Sequence, residues 1–388
     1  MKIAFVVDRY GIEVSGGAEL HCRWIAEHLA KHHDVSVITT CALNYMDWGN
    51  HYPAGMDVVN GIPVHRFSVL GERDLEAFSE ASQLVFHQPH SEADELRWLD
   101  LQGPRVPDLV SHIEANANEY DIFIFFTYLY YTTFYGLPVV KEKSLLVPTA
   151  HDELPIRLTV FRRLFSQPRF IICNTPTERE FVHRMMGNSH VPSAVVGTGI
   201  DRPPKVDAEA FRRKYGILGD FILYVGRING MKGCLELLDR FLRYRADTQS
   251  NLKLLLVGKS EIDLPKIESV VQLGFLSEEE KSAAIQASSV VMVPSRYESL
   301  SMIALEAWLS ERPVLVNGNC HVLRDMCIRS NGGLYYTCYD EFRGLLTLLL
   351  GDAELRAVLG GNGRRFVEAS YDWTVVEKKY LEIIEGLR

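Results

Sequence analysis

Short runs of unbroken apolar residues, each followed by a helical pattern, recur along the chain in two series. This alternation restricts the fold more than any other property of the sequence. The first series comprises residues 3–7, 35–39, 122–126, 144–147 and 170–173; the second comprises 221–225, 253–257, 290–293, 314–316 and 333–335. Strands that are apolar at every position belong to parallel sheets covered on both faces, and strand–helix alternation builds βαβ units. The expectation is an α/β chain with two doubly wound parallel sheets. Between the series lies VVGTGIDRPPKVDAEAF, punctuated by Gly197, Gly199, Pro203 and Pro204, which places the boundary near Asp201. Residues 71–107 are less regular and read as helices and loops added to the first half. The final stretch, 372–387, has Val376, Tyr380, Ile383, Ile384 and Leu387 at helical spacing and charged residues opposite, the pattern of an amphipathic helix packed on a core.

Composition removes several function classes. Lys and Arg number 41 against 50 Asp and Glu, a net charge of −9, and no basic block is long enough to make a nucleic-acid face. The seven cysteines are scattered and odd in number, with no C-x-x-C pair, so neither a disulfide framework nor a structural zinc is expected. Thirteen histidines form no H-E-x-x-H cluster. The opening apolar run is closed at once by Asp8 and Arg9, too short for a signal-peptide core. Residues 122–140 carry no charge, but three threonines, four tyrosines, Gly136 and Pro138 interrupt them. That stretch reads as a strand, a polar tip and a short buried helix rather than a membrane span. The expected location is the reducing cytoplasm.

Four places carry candidate chemistry. SGGAE, residues 15–19, follows the first strand, and Gly16-Gly17 lets a backbone approach an anion at a helix N-terminus; the same pair also serves a simple tight connection. It is not G-x-G-x-x-G, which argues against a nicotinamide cofactor. In FILYVGRINGMKG, Arg227 and Lys232 sit beyond a strand's carboxyl end, where open α/β sheets bind ligands. In MVPSRYESLSMIALE, Glu298 and Glu306 are eight residues apart. On a helix starting near Ser299 that spacing is a rise of about 12 Å, with Glu298 at the mouth and Glu306 two turns inside. The amides of Leu300, Ser301 and Met302 would then lie between the two carboxylates. Finally, His151 and Asp152 in VPTAHDELP follow the strand at 144–147, and His151 is either a site residue or a hydrogen-bonded structural one.

In this order the segments SGGAE, VPTAHDE, GRINGMKG, LLLVGKSE, LGFLSEEEK, YESLSMIALEA with its Glu-x7-Glu pair, ERPVLVN and the closing DW helix resemble the retaining glycosyltransferases of the GT-B fold, glycosyltransferase family 4. The resemblance spans essentially the whole chain. It implies two Rossmann-like domains facing across a cleft: 1–200 on the acceptor side, 201–371 on the nucleotide-sugar side, and a helix, 372–388, crossing back to the first. It also implies that Arg227 and Lys232 hold the donor diphosphate, Glu306 the ribose hydroxyls and Glu298 the donor-sugar hydroxyls. Phe275 and Leu276 would lie against the base. The amides of Leu300 to Met302 and the Gly16-Gly17 loop would line phosphate and sugar, and His151 would sit at the reacting sugar face. One departure is NGNCHVLRD, which has Asp325 where the family often has Glu, and this puts that contact in doubt.

The function so implied is hexosyl transfer from a UDP- or GDP-linked sugar to a saccharide or lipid-linked acceptor with retention, in glycan or cell-surface polysaccharide biosynthesis. No metal and no cofactor beyond the donor are expected, since no D-x-D-like pair stands in a suitable loop and the cations themselves can meet developing diphosphate charge. Two alternatives differ by test. A nucleotide-sugar epimerase of the same architecture would turn over donor without acceptor. A non-catalytic binding protein would have a broken charge set, whereas Arg227, Lys232, Glu298, Glu306 and His151 are all present. Residues 155–169 mix Arg157, Arg162, Arg163 and Arg169 with six apolar side chains, either a surface helix or a basic amphipathic patch for peripheral contact with an anionic membrane.

Overall fold

The structure, a computed structural model, describes residues 1–14 and 16–387; Ser15, the first residue of SGGAE, lies outside them. The chain divides into two compact units, Met1–Gly199 with Val376–Arg388, and Ile200–Val375.

The first unit is built on eight strands: β1 Lys2–Val6, β2 Asp34–Thr40, β3 Gly55–Val59, β4 Ile62–Phe67, β5 Ile122–Phe126, β6 Ser144–Val147, β7 Phe170–Cys173 and β8 Ser193–Val195. Their order is β3-β4-β2-β1-β5-β6-β7-β8, parallel except for the β3–β4 hairpin. Strand β1 is fully buried from Ile3 to Val6, and β5 likewise, which is why both read as unbroken apolar runs. The sequence expectation omits the hairpin, because β3 is an edge strand with Met56 and Val58 exposed and so has no continuous apolar signature. Its signal lies instead in Asn60-Gly61, both at positive φ (49° and 81°), the two-residue turn whose twist matches paired strands. Chain order reverses between β1 and β5, so the loops leaving these strands border a topological switch point.

Residues 155–169 do not offer an amphipathic face. Ile156, Leu158, Val160, Phe161, Leu164 and Phe165 all belong to the core of this unit, and Arg163 pairs with Glu92 at 3.1 Å. The apolar side of the basic patch is spent inside the fold, and Arg157, Arg162, Arg163 and Arg169 are exposed. No helix among the described residues is long and apolar enough to cross a membrane. The last helix, Trp373–Gly386, opens on Asp372, whose carboxylate accepts the Thr374 amide at 2.9 Å. Its Val376, Tyr380 and Ile384 are completely buried, and Glu377 pairs with His28 and, at 3.2 Å, with Lys31. The helix therefore starts in the second unit and is completed in the first.

The second unit holds β9 Phe221–Val225, β10 Lys253–Val257, β11 Val270–Gly274, β12 Val290–Val293, β13 Val314–Asn317 and β14 Gly333–Tyr336. The order is β11-β10-β9-β12-β13-β14 and every pair is parallel. Its switch point falls between β9 and β12, so the turns after these two strands are the place where the fold gathers loop side chains.

Candidate functional site

Arg227, Lys232 and Glu298 all lie on the two loops of the second unit's switch point. Beyond β9 the chain turns at Gly226 (φ 147°) and re-enters a helix, Cys234–Thr248, through Gly233. Beyond β12 it runs through 294–301 into the helix Met302–Leu309. The loops are locked by backbone packing. Gly233 has φ 74°, and a Cβ there would lie 2.3 Å from the Pro294 carbonyl oxygen, so only glycine allows the approach. The same carbonyl accepts a hydrogen bond from the buried Asn317 side chain at 3.1 Å. The Tyr224 hydroxyl donates to the Arg227 carbonyl at 2.6 Å, and the Lys232 amide donates to Asn229 Oδ1 at 2.9 Å. Asn229 is itself buried, and its amide nitrogen donates to Glu261 at 2.7 Å.

On this frame Lys232 Nζ donates to Glu298 Oε1 at 2.7 Å, with side chains 30% and 14% exposed. The cation and carboxylate thus stand together where two helix N-termini begin. The first-turn amides of a helix lack intrahelical acceptors and favour anionic oxygens. A lysine between such termini suits a phosphate, and a carboxylate beside it suits hydroxyls.

The Glu-x7-Glu geometry needs correction. The helix begins at Met302 rather than near Ser299, because Ser301 supplies the N-cap: its Oγ accepts the Ala304 amide at 3.4 Å. Glu298 is therefore a loop residue three positions before the cap, and Glu306 lies just beyond the first turn, so the rise of an eight-residue helical segment does not separate them. Glu306 is held by a different cation, Lys281 Nζ at 3.1 Å, from the helix Glu278–Ala287. Burial pushes the Glu306 carboxyl above its ordinary range, with Lys281 pulling against it. Of the remaining residues of this half, Leu276 is buried, whereas Phe275 is 80% exposed just past β11. The turn after β11 is tied to the turn after β10 by the Gly258 amide, which donates to the Gly274 carbonyl at 2.7 Å. Asp325 pairs with Arg329 at 3.6 Å on its own helix.

In the first unit, Gly16 and Gly17 lead into the helix Gly17–Leu29. A Cβ on Gly16 would lie 2.1 Å from a carboxylate oxygen of Glu19, which is buried and ion-paired with Arg9. Arg9 also reaches Asp8 at 3.3 Å and the Leu43 carbonyl at 3.0 Å. Burial first, then the nearby Glu19, pushes the Asp8 carboxyl up to about 7, with Arg9 opposing. This charged group beneath the glycine loop is absent from the sequence expectation, which takes Asp8 and Arg9 only as the polar end of an apolar run. Two charges directly after a buried strand at a switch point are the signal that would have found it. His21, on the same helix, is buried and bonded to the Gly197 carbonyl at 3.2 Å, and burial lowers it to about 4. His151 follows β6 and lies 3.6 Å from Glu153, whose carboxylate accepts the Tyr128 hydroxyl at 2.8 Å. The loops after β5 and β6 are thereby joined through Glu153. Among the described residues no group of three His, Cys, Asp or Glu side chains is placed to hold a metal ion.

Residues 207–366 match the family described as Glycosyl transferases group 1. An uncharacterized glycosyltransferase of Methanocaldococcus jannaschii is 23% identical over 417 aligned positions, covering 99% of this chain and 97% of that protein. The D-inositol 3-phosphate glycosyltransferase of Pseudarthrobacter chlorophenolicus is 32% identical over 216 positions, 47% of this chain and 49% of that one. Among solved structures, sucrose-phosphate synthase from Thermosynechococcus elongatus superposes with a TM-score of 0.74 at 17% identity, covering 100% of this chain and 98% of that one. HepE of Anabaena, in complex with UDP-glucose, gives 0.70 at 16% identity over the whole of both chains. The fold is GT-B.

Proposed function

We propose that this chain, a GT-B protein whose residues 207–366 match Glycosyl transferases group 1, is a glycosyltransferase that moves a hexosyl group from a nucleotide-sugar to a saccharide or lipid-linked acceptor with retention of configuration. The observation that carries the reading is the Lys232–Glu298 pair at 2.7 Å on the two switch-point loops of the second unit. A nucleotide-sugar presents a diphosphate next to sugar hydroxyls, and a cation beside a carboxylate matches that sequence of groups.

Leaving-group departure builds negative charge on the nucleoside diphosphate. Arg227, Lys232 and the first-turn amides near Ser301 and Met302 are assigned to stabilise it, an electrostatic role that needs no metal. Glu298 is assigned to the donor-sugar hydroxyls. Glu306 is assigned to the ribose, with its carboxylate held by Lys281 at 3.1 Å. Phe275 is assigned to the base, as an exposed ring with no other packing duty. In the first unit, the Gly16-Gly17 loop is assigned to phosphate and sugar and His151 to the reacting sugar face. The proposed setting is glycan or cell-surface polysaccharide synthesis in the cytoplasm.

The test is a thermal-shift panel of UDP-, GDP- and ADP-sugars on the full chain. A true donor raises the unfolding midpoint with concentration through mass action. A flat panel would sink the donor assignment. For a donor that binds, consumption only when acceptor is present separates transfer from epimerisation, and proton NMR of the product anomer reads retention.

A further inference from the structure

At the opposite, amino-terminal end of the second unit's sheet lies a cavity of about 290 Å³ that the donor reading does not use. Asp220 precedes β9, Ser289 precedes β12 and Pro313 precedes β13, so the cavity sits under the strand starts, whereas Arg227, Lys232 and Glu298 occupy the strand ends. Three guanidinium groups line it: Arg212 from the helix Ala208–Lys214, Arg312 from the turn before β13, and Arg356 from the helix Ala353–Ser370.

Backbone carbonyls fix all three. Arg212 Nη1 donates to the Gly219 carbonyl at 2.7 Å and its Nη2 to that of Ala287. Arg312 Nε donates to the Gln286 carbonyl at 2.9 Å, and Arg356 Nη1 to those of Leu349 and Leu350 at 2.6 and 2.9 Å. Capping helix ends would explain each arginine by itself. It does not explain why three cations share one small cavity, which Coulomb repulsion opposes.

Two carboxylates, Glu209 and Asp220, also line the cavity, which leaves one positive charge in excess and neither acid on Arg312 or Arg356. Glu209 reaches only Arg212, at 3.9 Å; Asp220 accepts the Ser289 hydroxyl at 2.6 Å; and Glu311 is engaged by Arg364 at 2.8 Å. Among the described residues, no carboxylate lies within ion-pair distance of Arg312 or Arg356, and Arg312 Nη1 and Arg356 Nε and Nη2 have no protein acceptor. Burial holds Arg312 below the ordinary arginine range; Glu311 pulls the other way, and Arg356 and then Arg212 add smaller repulsions. An anion would relieve that repulsion and accept the unused donors, and guanidinium forks match phosphate oxygens in pairs.

We propose that this cavity is a second anion site, which takes a phosphate or phosphomonoester dianion on Arg312 and Arg356 with Arg212 completing the positive wall. The proposal stands apart from the donor assignment, and its test keeps the two separate. Full-length protein carrying Lys232→Ala, which disables phosphate capture at the switch point, is titrated with inorganic phosphate and, separately, with glycerol phosphate. Sodium chloride holds ionic strength constant while the unfolding midpoint is followed.

The expected result is a saturable rise with at least one of the two probes. Response to both places the phosphoryl group itself in the site; response to glycerol phosphate alone identifies a phosphomonoester. Adding Arg356→Gln should weaken that response at least tenfold, read as the rise above the variant's own midpoint without phosphate. Arg312→Lys, which keeps the charge but loses the planar fork, should weaken it less and provides the reading if Arg356→Gln does not fold. A midpoint that tracks ionic strength alone, or variants that respond as the parent does, would overturn the site.

Discussion

Replacing Lys232 by alanine separates the two jobs that the Lys232–Glu298 pair performs. In the resting protein the pair ties the β9 loop to the β12 loop across 2.7 Å, with the lysine 30% and the glutamate 14% exposed. Exposed pairs contribute roughly 0.2–1 kcal/mol and breaking a fully buried one costs about 3–5, so this intermediate pair should contribute ~1–2 kcal/mol to folding. For a unit of this size that is a fall of roughly 2–8 °C in the unfolding midpoint.

The loss in turnover should be larger. Removing one preorganised contact to developing charge typically lowers kcat by about 10²–10³, or ~2.7–4 kcal/mol of transition-state stabilisation. Initial rates with an accepted donor and acceptor, measured well below the variant's own midpoint, read the second quantity. Circular-dichroism melts read the first. Glu298→Ala and the double variant complete a cycle whose folding coupling should be ~1–2 kcal/mol. A Lys232→Ala enzyme with wild-type kcat would refute the electrostatic role. If activity were lost only in proportion to the unfolded fraction, the pair would be structural and nothing more.

Three further outcomes follow from local geometry. Gly233→Ala places a methyl against the Pro294 carbonyl and forces a side chain into the left-handed region, itself costing about 1–2 kcal/mol; chemical denaturation should show a loss exceeding that figure, and a neutral variant would contradict the locked-loop description. His21 is neutral in the fold because burial lowers it to about 4, below its unfolded value near 6.5. Its contribution is therefore intact above pH ~6.5 and is lost as pH falls toward 4, so wild type should lose midpoint faster than His21→Gln across that window, and parallel curves would refute the assignment. Phe275→Ala should leave the midpoint within experimental scatter, since the ring is 80% exposed, yet weaken nucleotide binding by the ~1–3 kcal/mol typical of base stacking on an aromatic; calorimetric titration with the preferred nucleoside diphosphate decides it.

The parallel core strands were readable because burial on both faces makes them apolar without interruption, and the expected runs at 3–7, 122–126, 144–147, 170–173 and 221–225 lie on β1, β5, β6, β7 and β9 to within a residue. The edges were not. β8 has three half-buried residues, β3 shows Met56 and Val58 to solvent, and β11 alternates, so each lacks the pattern that a covered strand must have. At the site, the carboxyl-end position of Arg227 and Lys232 followed from strand boundaries alone. The start of the helix after β12 did not, because both Ser299 and Ser301 are acceptable caps by residue type, and only the path of the loop anchored through Pro294 selects the second. The Asp8–Arg9–Glu19 group escaped because Glu19 is ten residues from Arg9 in sequence and meets it only when the helix after SGGAE folds back over the β1 turn.

The division of the last helix bears on how the protein is made. The first unit needs Val376, Tyr380 and Ile384 to close its core, yet these residues follow the whole of the second unit in the chain. On a ribosome delivering roughly 5–20 residues per second, the slot they fill stays open for on the order of ten seconds or longer after the eight-stranded sheet has emerged. The half that is synthesised first is thus the half that finishes last. A nascent chain halted within residues 200–375 would present an incomplete first unit with apolar surface uncovered, the state on which a holding chaperone would act.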